Sequence, residues 1–437
     1  MRRVRALGLA ACAVLVFVLV ALGLLAEQHG AIGWFVAVAL AQGAVYLAAV
    51  ALAWRGGGSR GAVLLILAAA AFFRLPIVLS PPALSSDIFR YVWDGRVQAS
   101  GINPYRFIPN DPHLADLRDA AIFPNINRNN YARTIYPPVA EAFFLAVAYL
   151  GTSVTAMKVV MAACEAAAIY FLLELLRDRA LPAERVLIYA WHPLPLWEFA
   201  GSGHVDALVV LFVSAALWGR RHLPQWLLGV VLAGGTLVKF FPAVTLPAFY
   251  RRGDWQVPLA FALTVVLAYL PYLDAGSNVL GFLGGYAGEE GFDRSGSGFY
   301  LWRLLGAGLP IAGVSAGYYI AAAAAILSAL AVRMMLVPSA DAVAGAAILA
   351  TLFTVMVSPH YAWYFAWLIV FLCLVPWLSL FWLTLASVML YLVPVGSHLV
   401  ANDDRLLVES VIYGPFAALA CFDFARRQSR SVGGDDR

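Results

Sequence analysis

Long apolar runs alternate with short polar turns along almost the whole chain. A helix of about 20 apolar residues crosses a hydrocarbon core of about 30 Å. The pattern predicts membrane spans near 6–26, 31–54, 61–80, 154–176, 184–200, 206–219, 225–238, 240–250, 255–273, 311–332, 341–358, 362–375, 377–395 and 406–424. We therefore predict an all-α polytopic membrane protein with about 12–14 transmembrane helices.

Composition supports a membrane protein. Of the 437 residues, 62% are hydrophobic and 12% are charged, and a soluble domain would carry roughly twice that charge fraction. The four cysteines lie within apolar runs without metal-ligand spacing. The run at 6–26 could be a signal peptide, but it is long for one and lacks a clear cleavage site, so we interpret it as a span.

Arginine clusters between the spans predict the topology. Placing them in the cytoplasm puts both termini in the cytoplasm and leaves two extracytoplasmic loops, 81–153 and 274–310. Residues 137–151 are apolar but short for a span, and we expect them to form an interfacial or re-entrant helix. The predicted organisation is an N-terminal hairpin, a catalytic module with both loops, a C-terminal helical region and a cytoplasmic tail, at 1–60, 61–310, 311–424 and 425–437.

The densest polar cluster, 85–105, follows the third span. Asp87 and Asp94 are seven residues apart, which places them on one face of a helix. A carboxylate near an apolar boundary is partly desolvated and becomes a better general base. Alternatively, both are loop residues paired with Arg90 and Arg96. Aromatic side chains, whose faces suit sugar rings, favour the functional interpretation: Tyr91, Trp93 and Tyr105.

Two further polar groups lie next to helix breaks. His204 and Asp206 follow a proline-containing break at 192–195, which is tolerated where it lines protein or a watery cavity. Asp206 could equally cap the next helix. Lys239 lies between two short apolar segments, where a phosphate would be a natural partner, although a lysine can also extend to the interface.

The second loop and a later turn carry the remaining candidates. Residues 289–298 are charged and glycine-rich, so they could form a lid or a solvated loop, and Arg294 could bind phosphate. His360 and Tyr361 lie at a predicted helix break and could bind phosphate or belong to an interfacial aromatic belt. The chain has no P-loop, dinucleotide fingerprint, HExxH motif or nucleophile elbow. We also expect few buried acidic residues, which argues against an ion-coupled transporter.

These motifs resemble bacterial GT-C glycosyltransferases, and most closely the polyprenol-phosphate-mannose-dependent mannosyltransferases and related glycosyltransferase family 87 proteins. The resemblance covers roughly residues 60–365. It is carried by Asp87-Ile88-x-Arg90-Tyr91-x-Trp93-Asp94-Gly95, Gly101-x-Asn103-Pro104-Tyr105, Tyr136-Pro137-Pro138, His192-Pro193-Leu194, Glu198, Gly203-His204-x-Asp206 and Lys239-x-x-Pro242. Two extra spans before the catalytic loop depart from the simplest members.

The resemblance implies a GT-C bundle that transfers a sugar, with mannose favoured, from a polyprenyl-phosphate donor to an extracytoplasmic hydroxyl of a glycan, lipid or protein, with inversion. Asp87 would be the general base, with Asp94 in reserve. The implied substrate-binding residues are Arg90, Tyr91, Trp93, Asn103, Tyr105, Tyr136, Glu198, His204 and Asp206. The implied donor-phosphate ligands are Lys239, Arg294, His360 and Tyr361.

No cofactor is expected: the sequence supports no metal site, although a divalent metal is compatible with the reaction. Membrane lipids are expected partners and nucleic acids are not. Two rival functions remain at this stage. One is a flippase or transporter for lipid-linked sugars, and the other is an oligosaccharide polymerase or ligase.

Overall fold

The computed structural model describes residues 2–54, 59–311, 313–337, 341–393 and 403–432. Within these ranges the protein is helical and contains no strand. The longer helices are α1 Arg2–Gln28, α2 Ile32–Trp54, α3 Arg60–Leu79, α4 Asp87–Ala99, α5 Pro138–Leu150, α6 Val154–Asp178, α7 Asp206–His222, α8 Gln225–Thr236, α9 Gln256–Tyr269, α10 Leu283–Glu289, α11 Tyr300–Gly308, α12 Gly317–Leu336, α13 Ala342–Val357, α14 Leu378–Ala386 and α15 Asp403–Val432.

Further helical segments, most of them short or irregular, connect these helices. They lie at Pro112–Leu117, Phe123–Asn125, Ala183–Val186, Leu187–Ala190, Pro193–Pro195, Leu196–Gly201, Phe241–Thr245, Leu246–Phe249, Leu270–Leu280, Ala362–Leu368, Ile369–Leu372 and Ser387–Leu392. Seven helical segments in the described ranges are long and apolar enough to cross a membrane, and five shorter apolar helices accompany them. The prediction of an all-helical polytopic membrane protein is confirmed, while the number of crossings and their direction stay predictions.

The segment 183–201 is the most irregular part of the core. Prolines at 193 and 195 interrupt it, and its last turn, Leu196–Gly201, is a π-helix. Side chains from other helices satisfy carbonyls that a broken helix leaves free: Tyr46 Oη donates to Ile188 O over 2.8 Å, and Arg74 Nη1 donates to Ala190 O over 2.9 Å. Irregular backbone at membrane depth is stable only when such partners exist. The predicted break at 192–195 is therefore observed.

A buried ion pair joins α3 to α6. Arg74 Nη2 and Nε donate to the two carboxylate oxygens of Glu165 over 2.7 and 3.1 Å, and both side chains are almost completely buried. The N-terminal hairpin of α1 and α2 packs on the same core, where Gln42 Oε1 accepts a hydrogen bond from Trp197 Nε1 over 2.9 Å. The hairpin therefore supports the broken segment directly.

Helices α4 and α5 pack against each other beside the end of α3. The contact is so close that a Cβ at Gly95 would lie 2.3 Å from the carbonyl oxygen of Phe144, and the Tyr91 ring stacks on the Phe144 ring at 4.7 Å. Helix α5 has 13 residues, or about 20 Å of rise, which is short of a membrane crossing. Its length agrees with the interfacial placement expected for 137–151, which stays a prediction.

Candidate active site

A cavity of about 830 Å³ opens where the two polar loops meet the helices. Its lining comes from the start of α4, the loop before α5, the Lys239 turn, α10, the turn after α13 and the start of α15. The polar and aromatic lining residues are Ser85, Ser86, Asp87, Arg90, Asn127, Arg128, Tyr131, Arg133, Tyr136, Lys239, Phe240, Phe241, Tyr286, Glu290, Phe353, His360, Tyr361, Trp363, Tyr364, Tyr391 and Arg405. Groups from distant parts of the chain therefore face one space.

Asp87 is the first residue of α4, and its carboxylate faces the cavity. The helix N-terminus favours a negative charge there, and Asn127 Nδ2 donates to Asp87 Oδ1 over 2.8 Å. Burial raises the pKa of the Asp87 carboxyl above its ordinary value, while Lys239, the Asn127 hydrogen bond and Arg128 reduce the increase. Because 22% of the side chain remains exposed, a substrate can reach this carboxylate.

Buried polar groups lie behind Asp87. Nδ1 of His204 is 3.8 Å from Asp87 Oδ2, and its Nε2 is 3.6 Å from Oε2 of Glu198. The imidazole stacks on Trp363 with ring centroids 4.0 Å apart. Glu198 also accepts a hydrogen bond of 2.8 Å from Tyr391, which lines the cavity. His204 and Glu198 are completely buried, so they support the cavity wall rather than form its surface.

Lys239 reaches the cavity from the break between α8 and the turn at Phe241–Thr245. Its Nζ donates to Asp206 Oδ2 over 2.6 Å and lies 4.5 Å from the centroid of the Tyr364 ring. Asp206 is in the first turn of α7, yet its side chain binds the lysine. The carbonyl of Leu237 accepts from the backbone N–H groups of Val139 and Ala140, which fastens this break to the start of α5.

An anion-binding cluster occupies another wall. Nδ1 of His360 lies 2.7 Å from Oε2 of Glu290, and the Tyr361 hydroxyl donates to Oε1 over 3.2 Å. Arg128 Nη2 is 3.6 Å from the same Oε1. Arg128 and Ser358 have positive φ values of 54° and 51°, which are strained for residues other than glycine. One strained residue, Arg128, thus belongs to the cluster, and the other, Ser358, precedes His360 by two residues.

Most predicted site residues are brought together. The cavity lining includes six of them, and Tyr91, Glu198, His204 and Asp206 lie directly behind it. The six are Asp87, Arg90, Tyr136, Lys239, His360 and Tyr361. Tyr91 is fully buried, with its hydroxyl 3.5 Å from His204 Nδ1.

Asp94, the reserve base, does not line the cavity. Both of its carboxylate oxygens accept from Arg90 Nε over 2.9 Å, and its side chain is almost fully buried. Burial raises the pKa of the Asp94 carboxyl and Arg90 opposes the increase. The alternative of an ion pair with Arg90 therefore describes the contacts of Asp94. Through this pair, Asp94 positions Arg90 in the cavity wall.

Four other predicted residues also lie outside the lining. Trp93 is buried against Phe123, and Tyr105 donates to the carbonyl of Tyr136 over 2.6 Å. Asn103 Nδ2 donates to Tyr272 O over 3.1 Å. Arg294 is exposed, in the turn between α10 and α11. Trp93, Tyr105 and Asn103 therefore make contacts within the fold, and Arg294 does not line the cavity.

Several lining residues were not predicted. Asn127, Arg128, Arg133, Tyr286, Tyr391 and Arg405 were absent from the predicted site, and Glu290 was noted only within a lid or solvated loop. Arg405 is 3% exposed, and its Nη2 has no hydrogen-bond partner within the described residues. A positive residue in a polar extracytoplasmic loop, against the charge rule, was the available signal for Arg128 and Arg133. Nothing in the sequence distinguished Tyr286 or Tyr391 from other aromatics of the spans.

In the part of the chain that the structure describes, no group of three or more His, Cys, Asp or Glu side chains could hold a metal ion. A metal-independent reaction stays a prediction.

The all-helical fold of the described residues, with seven candidate membrane spans, is consistent with a membrane fold of the GT-C type. Residues 134–359, just over half of the chain, match the model of glycosyltransferase family 87. The chain belongs to glycosyltransferase family 87 and is a membrane glycosyltransferase. No curated protein and no solved structure gives a significant match. Asp87 precedes the matched segment, whereas Lys239 and Glu290 lie within it.

Proposed function

We propose that the protein transfers a sugar, with mannose favoured, from a polyprenyl-phosphate donor to an acceptor hydroxyl on the extracytoplasmic side. Family membership supports glycosyl transfer. The observation that carries the finer proposal is the Asp87 carboxylate, which faces the same cavity as Lys239, His360 and Tyr361. A base and a set of phosphate ligands are the two requirements of direct transfer from a sugar phosphate.

The proposed step is a single displacement. Asp87 accepts the proton of the acceptor hydroxyl as that oxygen attacks the anomeric carbon. The bond between the anomeric carbon and the phosphate oxygen breaks on the opposite face, so the configuration inverts. The departing polyprenyl phosphate gains a negative charge, which Lys239 and the His360 and Tyr361 groups stabilise. The raised pKa of Asp87 makes it a stronger base than a solvated carboxylate.

Aromatic side chains supply a surface for the sugar. Tyr361 stacks on Trp363 at 4.5 Å, and the hydroxyl groups of Tyr364 and Tyr286 are 3.0 Å apart. All four line the cavity, as does Tyr136. Such rings bury the C–H faces of a sugar while their hydroxyls bond to its oxygens. This lining supports a sugar substrate without selecting mannose over another hexose.

The test is transfer by purified protein supplied with a panel of polyprenyl-phosphate sugars and a membrane extract as acceptor. We expect one donor to be used, and Asp87→Asn to lower its rate by about 10²–10⁴-fold without loss of donor binding. Asp116→Asn, an exposed carboxylate of the same loop, is the matched control and should keep the wild-type rate. A fully active Asp87→Asn variant would refute the assignment of the base.

Two additions to this test separate the rival functions. Polyprenyl-pyrophosphate-linked donors are added to the panel, because a polymerase or ligase would use only those donors. A flippase or transporter would move the lipid-linked sugar across a vesicle membrane without forming a glycosidic bond. The expectation of few buried acidic residues is wrong, so that argument against a transporter is lost. The buried carboxylates are Asp94, Glu141, Glu165, Glu184, Glu198, Asp206, Glu290 and Glu409.

A further inference from the structure

Glu290 is a carboxylate buried in the cavity wall. It follows α10 directly, is 1% exposed and lines the cavity. Its two oxygens meet His360 Nδ1 at 2.7 Å and the Tyr361 hydroxyl at 3.2 Å, with Arg128 Nη2 at 3.6 Å. A buried carboxylate normally requires such a set of donors. Glu290 therefore occupies a formed anion site.

The contacts of His360 show how complete this site is. Its Nδ1 faces the Glu290 carboxylate, and its Nε2 lies 3.0 Å from the carbonyl oxygen of Gly298. Both neighbours offer acceptor oxygens to the imidazole ring. The site thus brings an imidazole nitrogen, a guanidinium and a phenol to one anion. These donors suit a phosphate oxygen as well as a carboxylate.

We propose that the Glu290 carboxylate occupies the donor-phosphate site in the empty enzyme, and that the incoming phosphate displaces this carboxylate. This inference rests on the proposed function, since it takes the substrate to be a lipid phosphate. His360 and Tyr361, which we expect to bind that phosphate, are already bonded to Glu290. Both anions cannot use the same donors, so the phosphate has to compete with the carboxylate.

Displacement would also release the loop that carries Glu290. The imidazole of His360 holds both ends of the turn 290–298, through the Glu290 carboxylate and the Gly298 carbonyl. The turn is closed by a hydrogen bond of 3.0 Å from Gly298 N to Gly291 O. Arg128 fastens the loop to the first polar loop through Glu289, at 2.6 Å, as well as through Glu290. Binding of the phosphate and movement of the second loop are therefore coupled.

The first experiment compares binding of farnesyl phosphate with binding of uncharged farnesol to purified protein in detergent. Glu290→Gln removes the competing charge while keeping the side-chain shape. We expect about tenfold tighter binding of farnesyl phosphate, as when a competitor fills a site nine-tenths of the time, and no change for farnesol. Glu289→Gln is the matched control, because Glu289 also binds Arg128 but does not line the cavity.

The second experiment follows the loop itself. A spin label on Ser295→Cys, in the exposed part of the turn, reports its mobility in protein whose exposed Cys421 has been replaced by Ser. In otherwise unaltered protein we expect farnesyl phosphate to increase the mobility of the label. In Glu290→Gln the label should be mobile before any ligand is added.

The outcomes separate the two levels of the proposal. Weaker farnesyl phosphate binding by Glu290→Gln would show that Glu290 belongs to the binding site and would overturn the inference. A label that stays immobile when farnesyl phosphate binds would also overturn it. If no variant prefers farnesyl phosphate to farnesol, the lipid-phosphate donor fails, and the inference with it. The remaining outcome is that the protein transfers sugar normally from a polyprenyl-phosphate donor while Glu290→Gln leaves the affinity for farnesyl phosphate unchanged. This outcome would refute the inference alone.

Discussion

Asn127 donates a hydrogen bond of 2.8 Å to Oδ1 of Asp87, joining the first turn of α4 to a loop that lies 40 residues later. The bond stabilises the charged form of the carboxylate, whereas burial favours the neutral form. Asn127 is therefore a positioning residue for the proposed base. Its effect can be separated from that of a merely structural contact through the pH dependence of the reaction.

We predict that activity is lost on acidification at a higher pH than an ordinary aspartate would allow. The base must be deprotonated, and burial raises the pKa of Asp87, so the acid limb of kcat/KM moves upward. Asn127→Ala removes a contact that lowers this pKa and should move the limb further up. The measurement is a pH profile of both proteins, and coincident acid limbs would contradict the role of Asn127.

Asp87→Asn should leave the protein as stable as the wild type above neutral pH, or make it more stable. A carboxyl whose pKa is raised by folding binds its proton more tightly in the folded state. Its ionisation therefore lowers the free energy of unfolding as the pH rises through the interval between the unfolded and folded pKa values. The asparagine has no charge to desolvate. Thermal unfolding in detergent checks this, and a large loss of stability would mean that the charge is structural.

Gly95→Ala should separate α4 from α5. Its Cβ would lie 2.3 Å from the carbonyl oxygen of Phe144, and backbone at this contact cannot rotate away as a side chain could. We expect a loss of about 1–3 kcal/mol in the free energy of unfolding together with reduced activity, since Asp87 is on α4. Gly284→Ala is the control, because nothing lies within 4 Å of its added methyl group. Equal stability of the two variants would contradict the packing described.

Glu165→Gln should destabilise the protein by about 3–5 kcal/mol, because it leaves Arg74 charged and buried without its partner. The double variant Arg74→Met with Glu165→Met should recover much of that loss, since it removes both charges. Unfolding of the two variants gives the comparison. A double variant that is less stable than Glu165→Gln would show that the bond from Arg74 to Ala190 O outweighs the ion pair.

The predicted topology can be tested with single cysteines and a reagent that does not cross membranes. Cysteines replacing the exposed residues Ser100 and Ser295 should be labelled in intact cells. One replacing the exposed Arg177, in the last turn of α6, should be labelled only after permeabilisation. Labelling of position 177 in intact cells would mean that α5 crosses the membrane.

Hydropathy was sufficient to locate several of the long apolar helices, whereas the spans predicted at 184–200 and 240–250 are broken into short turns. The spans predicted at 31–54 and 61–80 correspond to Ile32–Trp54 and Arg60–Leu79. The sequence also indicates the helix breaks, because prolines and glycines interrupt runs that are otherwise uniformly apolar. The sequence does not give distances between breaks, so it cannot show that Lys239 pairs with Asp206. From the sequence, a phosphate is the natural partner of Lys239.

The site was harder to predict where one side chain has two plausible partners. The spacing of Arg90 and Asp94 permits an ion pair or a second catalytic carboxylate, and only the packing of α4 on α5 shows that the pair forms. Glu290 lies in a charged, glycine-rich stretch that looks solvated. Its burial depends on His360, 70 residues away in the chain, and that pairing has no signal in the sequence.

The cavity is lined by residues from Ile32 to Arg405, which lie far apart in the sequence. The ribosome synthesises these parts of the wall one after another, and the Arg405 side follows all the others. A nascent chain that already carries Asp87 and Lys239 still lacks the Arg405 side of the cavity. The cavity wall is therefore incomplete until α15 has been made and packed, and a chain truncated before α15 would lack that side.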